Sequence, residues 1–199
     1  GIAELRNKEF DWVFDFIAYD GDSVKEAIRA WPAAKYVLIS SVWLAHLQEQ
    51  HDVDQAITLE GLRCPPHLRT ETFNYLYGKV LAENVVLKSR KRGGSASVLR
   101  LPIMLGAADH TGRLSFYFDR LNDENSIILI NNGENITQIA WYRDVADAIA
   151  YWVDAQGAPD IPIWEALPNY QCTLKEFVTL MASVLGREPS FTGLGLEDT

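Results

Sequence analysis

Cysteine is scarce: Cys64 and Cys172 are the only two in 199 residues. They lie far apart and match no metal-ligand spacing, which argues against a disulfide framework and a zinc module and suits a reducing cytosol. Positive charge is not in excess either. The formal net charge is −9, and a sequence-independent nucleic-acid binder needs a cationic surface, so that class is excluded. No apolar run approaches the roughly 20 residues of a membrane helix, and no signal-peptide pattern of charged start, apolar run and cleavage site occurs. A cytoplasmic protein with neither a membrane nor a nucleic-acid partner is expected. The last absence bears on function: between Gly1 and a strand reached by about Trp12 there is no Gly-rich phosphate-binding loop.

Of the residues that are present, 48% are hydrophobic, enough for one sizeable core or for one large and one small lobe. Residues 10–17 (FDWVFDFI) read as a strand. Ser23-Val24-Lys25-Glu26, just after Asp22, has the form of a capping box opening a helix that Trp31-Pro32 ends. Residues 35–41 (KYVLISS) make a nearly continuous apolar strand, the pattern of a parallel strand covered on both faces. From about residue 42 to 69 periodicity is poor and Cys64-Pro65-Pro66 interrupts it, which predicts a long loop with a short helix near residues 55–59. A helix over residues 72–89 and a strand over 97–101 (SVLRL) complete a second strand-helix-strand crossover. The run Lys88-Ser89-Arg90-Lys91-Arg92 before Gly93-Gly94 reads as cations at the C-terminus of that helix with a glycine cap. Two such units predict an α/β fold with a doubly wound parallel sheet, whose ligand chemistry falls at the carboxyl ends of its strands.

Beyond Pro102 the pattern changes. A helix over residues 113–121, strands over 126–130 and 136–141 around the turn Asn131-Asn132-Gly133, and a helix over 143–155 are predicted. A last helix opens at the capping box Thr173-Leu174-Lys175-Glu176 and ends at Gly186, and the tail from Ser190 is expected to be loose.

The chemistry concentrates in two places. Tyr75 and Lys79 stand four residues apart on one face of a helix, where an ammonium can lower a phenol pKa and make a proton donor or acceptor. Tyr77, two residues from Lys79, points to another face. At the end of the strand 35–41, the Ser41 hydroxyl can hydrogen-bond the same substrate oxygen with which Tyr75 exchanges a proton; Ser40 is the fallback. Lys79 is expected to hold Tyr75 partly ionised and to bind a ribose, giving acid/base support for hydride transfer. Taken alone, such a pair also fits a packed tyrosine beside a solvated lysine. His46, His51, His67 and His110 read as surface residues, with His110 or Arg113 the candidates for a substrate phosphate, and Asp15 reads as a cap or turn partner. No metal site is indicated.

These residues resemble the extended short-chain dehydrogenase/reductase family, the NAD-dependent epimerases and dehydratases. Val37-Leu38-Ile39-Ser40-Ser41 looks like the family's strand ending in the catalytic Ser or Thr, and Tyr75-x-x-x-Lys79-x-x-Ala82-Glu83 looks like its Tyr-x-x-x-Lys helix. Val98-Leu99-Arg100-Leu101-Pro102 with Leu105-Gly106 resembles the strand and turn passing the nicotinamide. Arg143-Asp144-Val145-Ala146 is similar to a later helix start, and residues 174–186 resemble the C-terminal helix of the substrate lobe. The resemblance implies the C-terminal part of a Rossmann-like domain over residues 1–110, carrying the Ser/Tyr/Lys site. It implies a small substrate-binding α/β lobe over residues 111–199, interleaved with the last sheet elements.

It further implies catalytic Ser41, Tyr75 and Lys79. NAD or NADP would contact Phe16, Ile17, Ala18, Tyr75, Lys79, Pro102 and Ile103, and a small-molecule substrate, a nucleotide sugar or similar compound, would contact Asn74 and Arg113. The sequence departs from the family in lacking the Gly-rich turn and the first two or three strands, and in having Leu44-Ala45-His46 where Val-Tyr-Gly is usual. The strand around residues 12–17 is expected to be central in the sheet, so a piece of a longer enzyme is expected, completed by its N-terminal segment; a homodimer is the other expected association. The rival reading is a fold relative that has lost dinucleotide binding and serves as a ligand-binding or assembly module.

Overall fold

The structure is a computed structural model describing residues 2–47, 69–107, 109–155, 161–167 and 171–195. The helix expected near residues 55–59, together with His51, Cys64 and His67, lies outside the described residues. Contacts divide the chain into two units, Gly1–Pro102 with Ala148–Ala166, and Ile103–Asp147 with Leu167–Thr199. No helix among the described residues is long and apolar enough to cross a membrane.

The first unit begins with a short helix, α1 (Ile2–Leu5), followed by β1 (Trp12–Asp15), α2 (Gly21–Ala30), β2 (Lys35–Ser41) and a 3-10 turn (Val42–Leu47). Next come α3 (Thr70–Lys91) and β3 (Ala96–Leu101). The strands are parallel in the order β1-β2-β3-β8, where β8 is Ile163–Glu165. The predicted parallel sheet is therefore present, because β2 and β3 carry apolar residues on both faces: Tyr36 to Ile39, Val98, Leu99 and Leu101 are all buried. One face packs on α2 and α3 through Val24, Ala27, Leu38, Ala82, Val86 and Val98. Among the described residues β1 pairs with β2 alone, at one edge of the sheet.

Two local expectations are corrected in this unit. The cap of α2 is Asp20 and not the Ser23 box: Asp20 has extended backbone and its carboxylate accepts from the Asp22 and Ser23 amides at 2.8 Å each. The first strand is shorter than the apolar run suggests, since Asp15 folds the chain out of the sheet. The basic run does close α3, with Lys88, Arg90 and Lys91 in its last turn and Gly93 beyond it at φ +86°.

The second unit contains β4 (Ile103–Leu105), α4 (Arg113–Asn122), β5 (Ile127–Ile130), β6 (Ile136–Thr137) and β7 (Ile139–Trp141). Helix α5 (Tyr142–Asp154) carries the chain back to the first unit. After it β9 (Cys172–Thr173), α6 (Leu174–Leu185) and β10 (Phe191–Leu194) complete the second. The strand expected over residues 136–141 is two strands. Gln138 separates β6, antiparallel to β9, from β7, parallel to β4. The tail expected to be loose from Ser190 instead holds β10, which pairs in parallel with β5 because Phe191 joins the core of Leu121, Ile127, Leu129 and Val178. Helix α6 has the predicted capping box, Thr173 with Glu176, and ends at Gly186 in the left-handed region.

Candidate active site

Asp15 ends β1 and shapes everything that follows. Its carboxylate accepts from the amides of Ile17 at 3.0 Å and Ala18 at 2.9 Å, and from the Tyr36 hydroxyl at 2.7 Å. It is thus the turn partner that the sequence suggested. The turn leaves the Phe16 and Ile17 side chains 49% and 82% exposed and tucks Ala18 inside.

The turn then runs hard against α3. A Cβ at Gly78 would stand 2.2 Å from the Tyr19 carbonyl oxygen, so only glycine fits at this mid-helix position. That close approach brings the Ala18 carbonyl over Lys79. Its Nζ donates to Ala18 O at 2.9 Å and, within β2, to Ile39 O at 2.8 Å. The ammonium is buried, and the Tyr19 ring centroid lies 4.6 Å away. Burial holds the lysine below its usual pKa, with the Asp15 and Glu83 charges working the other way.

One turn earlier on α3, Tyr75 is partly exposed, and its ring lies 5.8 Å from that of Tyr19. Burial pushes its phenol above the usual 10.0 and the Tyr19 phenol adds to this, while a hydrogen bond with Ser41 acts to lower it. Sequence spacing alone suggests an ammonium that keeps Tyr75 partly ionised. Here Nζ donates to the two carbonyls, and the Tyr75 phenol is shifted upward by its burial. Ser41 also accepts from the Trp43 amide at 3.2 Å. Ser40 is buried and, being one residue along the strand, faces the other side of the sheet.

Behind this group Arg100, 1% exposed, makes a two-pronged pair with Glu83, Nε to Oε1 at 3.0 Å and Nη2 to Oε2 at 2.7 Å. It reaches Glu165 at 3.2 Å through Nη1, so it ties α3 to β3 and β8. Asn74 is exposed on α3, and Pro102 is buried just after β3. The first unit therefore brings together Ser41, Tyr75, Lys79 and the turn 16–19. Ile103 and Arg113 belong to the second unit, where they line a cavity of about 550 Å³ with Leu105, Phe116, Thr137 and Phe177. Arg113 is the one charged lining residue among those described, and it donates to Thr111 Oγ1 at 3.2 Å. His110 is exposed.

Sequence reasoning missed Tyr19, Gly78 and Glu165. Only Gly78 carried a signal, since a glycine inside a long helix marks a close backbone approach.

No family model matches the sequence, and no curated protein matches it. Solved structures do match. A dTDP-glucose 4,6-dehydratase from Bacillus anthracis, in complex with NAD, is 16% identical with a TM-score of 0.61, over 88% of this chain and 54% of that one. A UDP-glucuronic acid 4-epimerase from Bacillus cereus, in complex with UDP-glucuronic acid and NAD, is 12% identical with a TM-score of 0.58, over 87% and 54%. A GDP-L-fucose synthetase from Naegleria fowleri is 11% identical with a TM-score of 0.64, over 93% and 64%. This chain shares with these solved structures an α/β fold built on a Rossmann-like parallel sheet. This chain spans a little over half the length of the first solved structures it matches.

Proposed function

We propose that this chain is the part of an NAD(P)-dependent epimerase, dehydratase or reductase that carries the acid/base residues, acting on a nucleotide sugar or similar hydroxy or carbonyl compound. The observation that carries the reading is the placement of the Tyr75 phenol, which interacts with the Ser41 hydroxyl at the carboxyl end of a parallel strand and stands one turn from a buried Lys79. Solved structures of the same fold hold NAD or NADPH, which supports the reading.

The residues present fit the nicotinamide end of such a cofactor. Phe16 and Ile17 offer uncovered apolar surface at the end of β1, as a planar ring requires, with Ala18, Tyr75 and Lys79 beside them. Pro102 and Ile103 are the further candidates. When bound, the group supplies the hydride chemistry. The chain's own work is proton handling: the Tyr75 hydroxyl gives its proton to a substrate carbonyl oxygen or, as phenolate, takes one from a substrate alcohol. Ser41 hydrogen-bonds the same oxygen and keeps it in line. Asn74, exposed on α3, is a further candidate for substrate contact in the first unit; in the second, Arg113 beside the aromatic wall of its cavity is suited to a phosphate group.

The test uses the full natural polypeptide. Tyr75→Phe should lower turnover by about 10²- to 10⁴-fold and leave the Kd for NADH or NADPH, read by quenching of Trp fluorescence, unchanged. Unchanged turnover overturns the assignment. One observation favours a second reading, a binding or assembly module: the Lys79 ammonium is enclosed by carbonyls and a ring. That module would show no quenching with either dinucleotide.

A further inference from the structure

Lys79 has three N–H donors, and the protein already surrounds them. Two go to Ala18 O and Ile39 O, and the Tyr19 ring covers the ammonium at 4.6 Å, within the range of a cation–π contact. The lysine is 3% exposed while Tyr19 is 55% exposed, so Tyr19 is the outer layer and Lys79 the inner one. Tyr19 also leans toward Tyr75 and raises its pKa, so one exposed ring touches both members of the acid/base pair. Backbone and side chain of Tyr19 are held differently. Its carbonyl is wedged against Gly78, whereas its ring lies against Lys79 and Tyr75 and is otherwise largely open to solvent.

From this arrangement we infer that the Tyr19 side chain is a movable cover on Lys79, and that it swings aside before Lys79 can donate to a hydroxyl of a bound ligand. The backbone turn stays fixed by Asp15 and Gly78 while the ring rotates about its side-chain bonds. Tyr19 is thus a positioning residue that sets when Lys79 is available and what surrounds the Tyr75 phenol. The identity of the hydroxyl as a ribose rests on the dinucleotide reading above; the cover does not.

The experiment is amine acetylation, with the rate at Lys79 followed by mass spectrometry against surface lysines as internal standards. Replacing the ring by Tyr19→Ala should make Lys79 react at least about tenfold faster, the order expected when a desolvated cation–π partner is removed. Tyr19→Phe keeps the aromatic face and should react within about twofold of wild type. Tyr19→Leu keeps apolar bulk on the turn and is a second removal of the ring should the alanine variant not fold; it too should react faster. Equal rates in the wild type and in the folded ring-less variants overturn the cover, as does an increase in Tyr19→Phe as large as in Tyr19→Ala. In the full polypeptide, NADH or NADPH should slow the reaction of Lys79 in Tyr19→Ala. Faster labelling that neither dinucleotide slows would uphold the cover and overturn the dinucleotide reading, so the two fail separately.

Discussion

Replacing Arg100 by methionine is the sharpest probe of what holds the first unit together. The guanidinium is 1% exposed, pairs with Glu83 at 3.0 and 2.7 Å and reaches Glu165 at 3.2 Å. Arg100→Met leaves the Glu83 carboxylate, 3% exposed, without its partner, whereas Glu165 at 22% can turn to water. Breaking a buried pair from one side costs about 3–5 kcal/mol, nearly all of it the price of the stranded charge. The double variant Arg100→Met with Glu83→Leu removes that charge, and apolar replacement of a whole buried pair is neutral or stabilising in other proteins. The double variant should therefore be more stable than the single by at least about 2 kcal/mol. Urea unfolding followed by Trp fluorescence and far-UV circular dichroism gives both numbers from the midpoints at a common slope. A single-variant cost below about 1 kcal/mol, or a double variant no more stable than the single, would refute the reasoning.

Two further outcomes follow from the geometry around the site. Gly78→Ala improves helix propensity by about 1 kcal/mol, yet its methyl meets a backbone oxygen at 2.2 Å, so a net loss of about 1–3 kcal/mol is expected by urea unfolding; a gain contradicts the close approach. The Tyr36 phenol, pushed far above 10.0 by burial and by its bond to Asp15, ionises later in the folded than in the unfolded chain. Its contribution to stability is complete below pH 10 and is lost as pH rises beyond it. Tyr75 shifts the same way, and Lys79 the opposite way, in both proteins compared, so the difference between wild type and Tyr36→Phe isolates Tyr36. The urea midpoint of Tyr36→Phe should fall less steeply above pH 10 than that of the wild type, and equal slopes contradict the assignment.

Periodicity and end signals, which depend on neighbours in the chain, were legible. The strand 35–41, the long helix over Tyr75 and Lys79 and its basic terminus, and the capping box of Thr173 with Glu176 all stand where local pattern puts them. Short strands were not legible: β4, β8, β9 and β10 have two to four residues each and become strands only because a partner lies alongside. The same limit explains the run 136–141, whose apolar pattern is continuous while its two halves pair with different strands.

At the site, sequence alone determined that Tyr75 and Lys79 share a helical face, because 3.6 residues per turn requires it. It also set Ser41 at a strand's carboxyl end. Where the ammonium points was decided by the tertiary structure. The glycine at 78 admits the Tyr19 carbonyl, the Asp15 turn delivers the Ala18 carbonyl, and two acceptors, one from that turn and one from β2, draw Nζ inward under an aromatic ring. A side chain with four rotatable carbons answers to whichever acceptors surround it, and those come from residues 40 and 61 positions away in the chain.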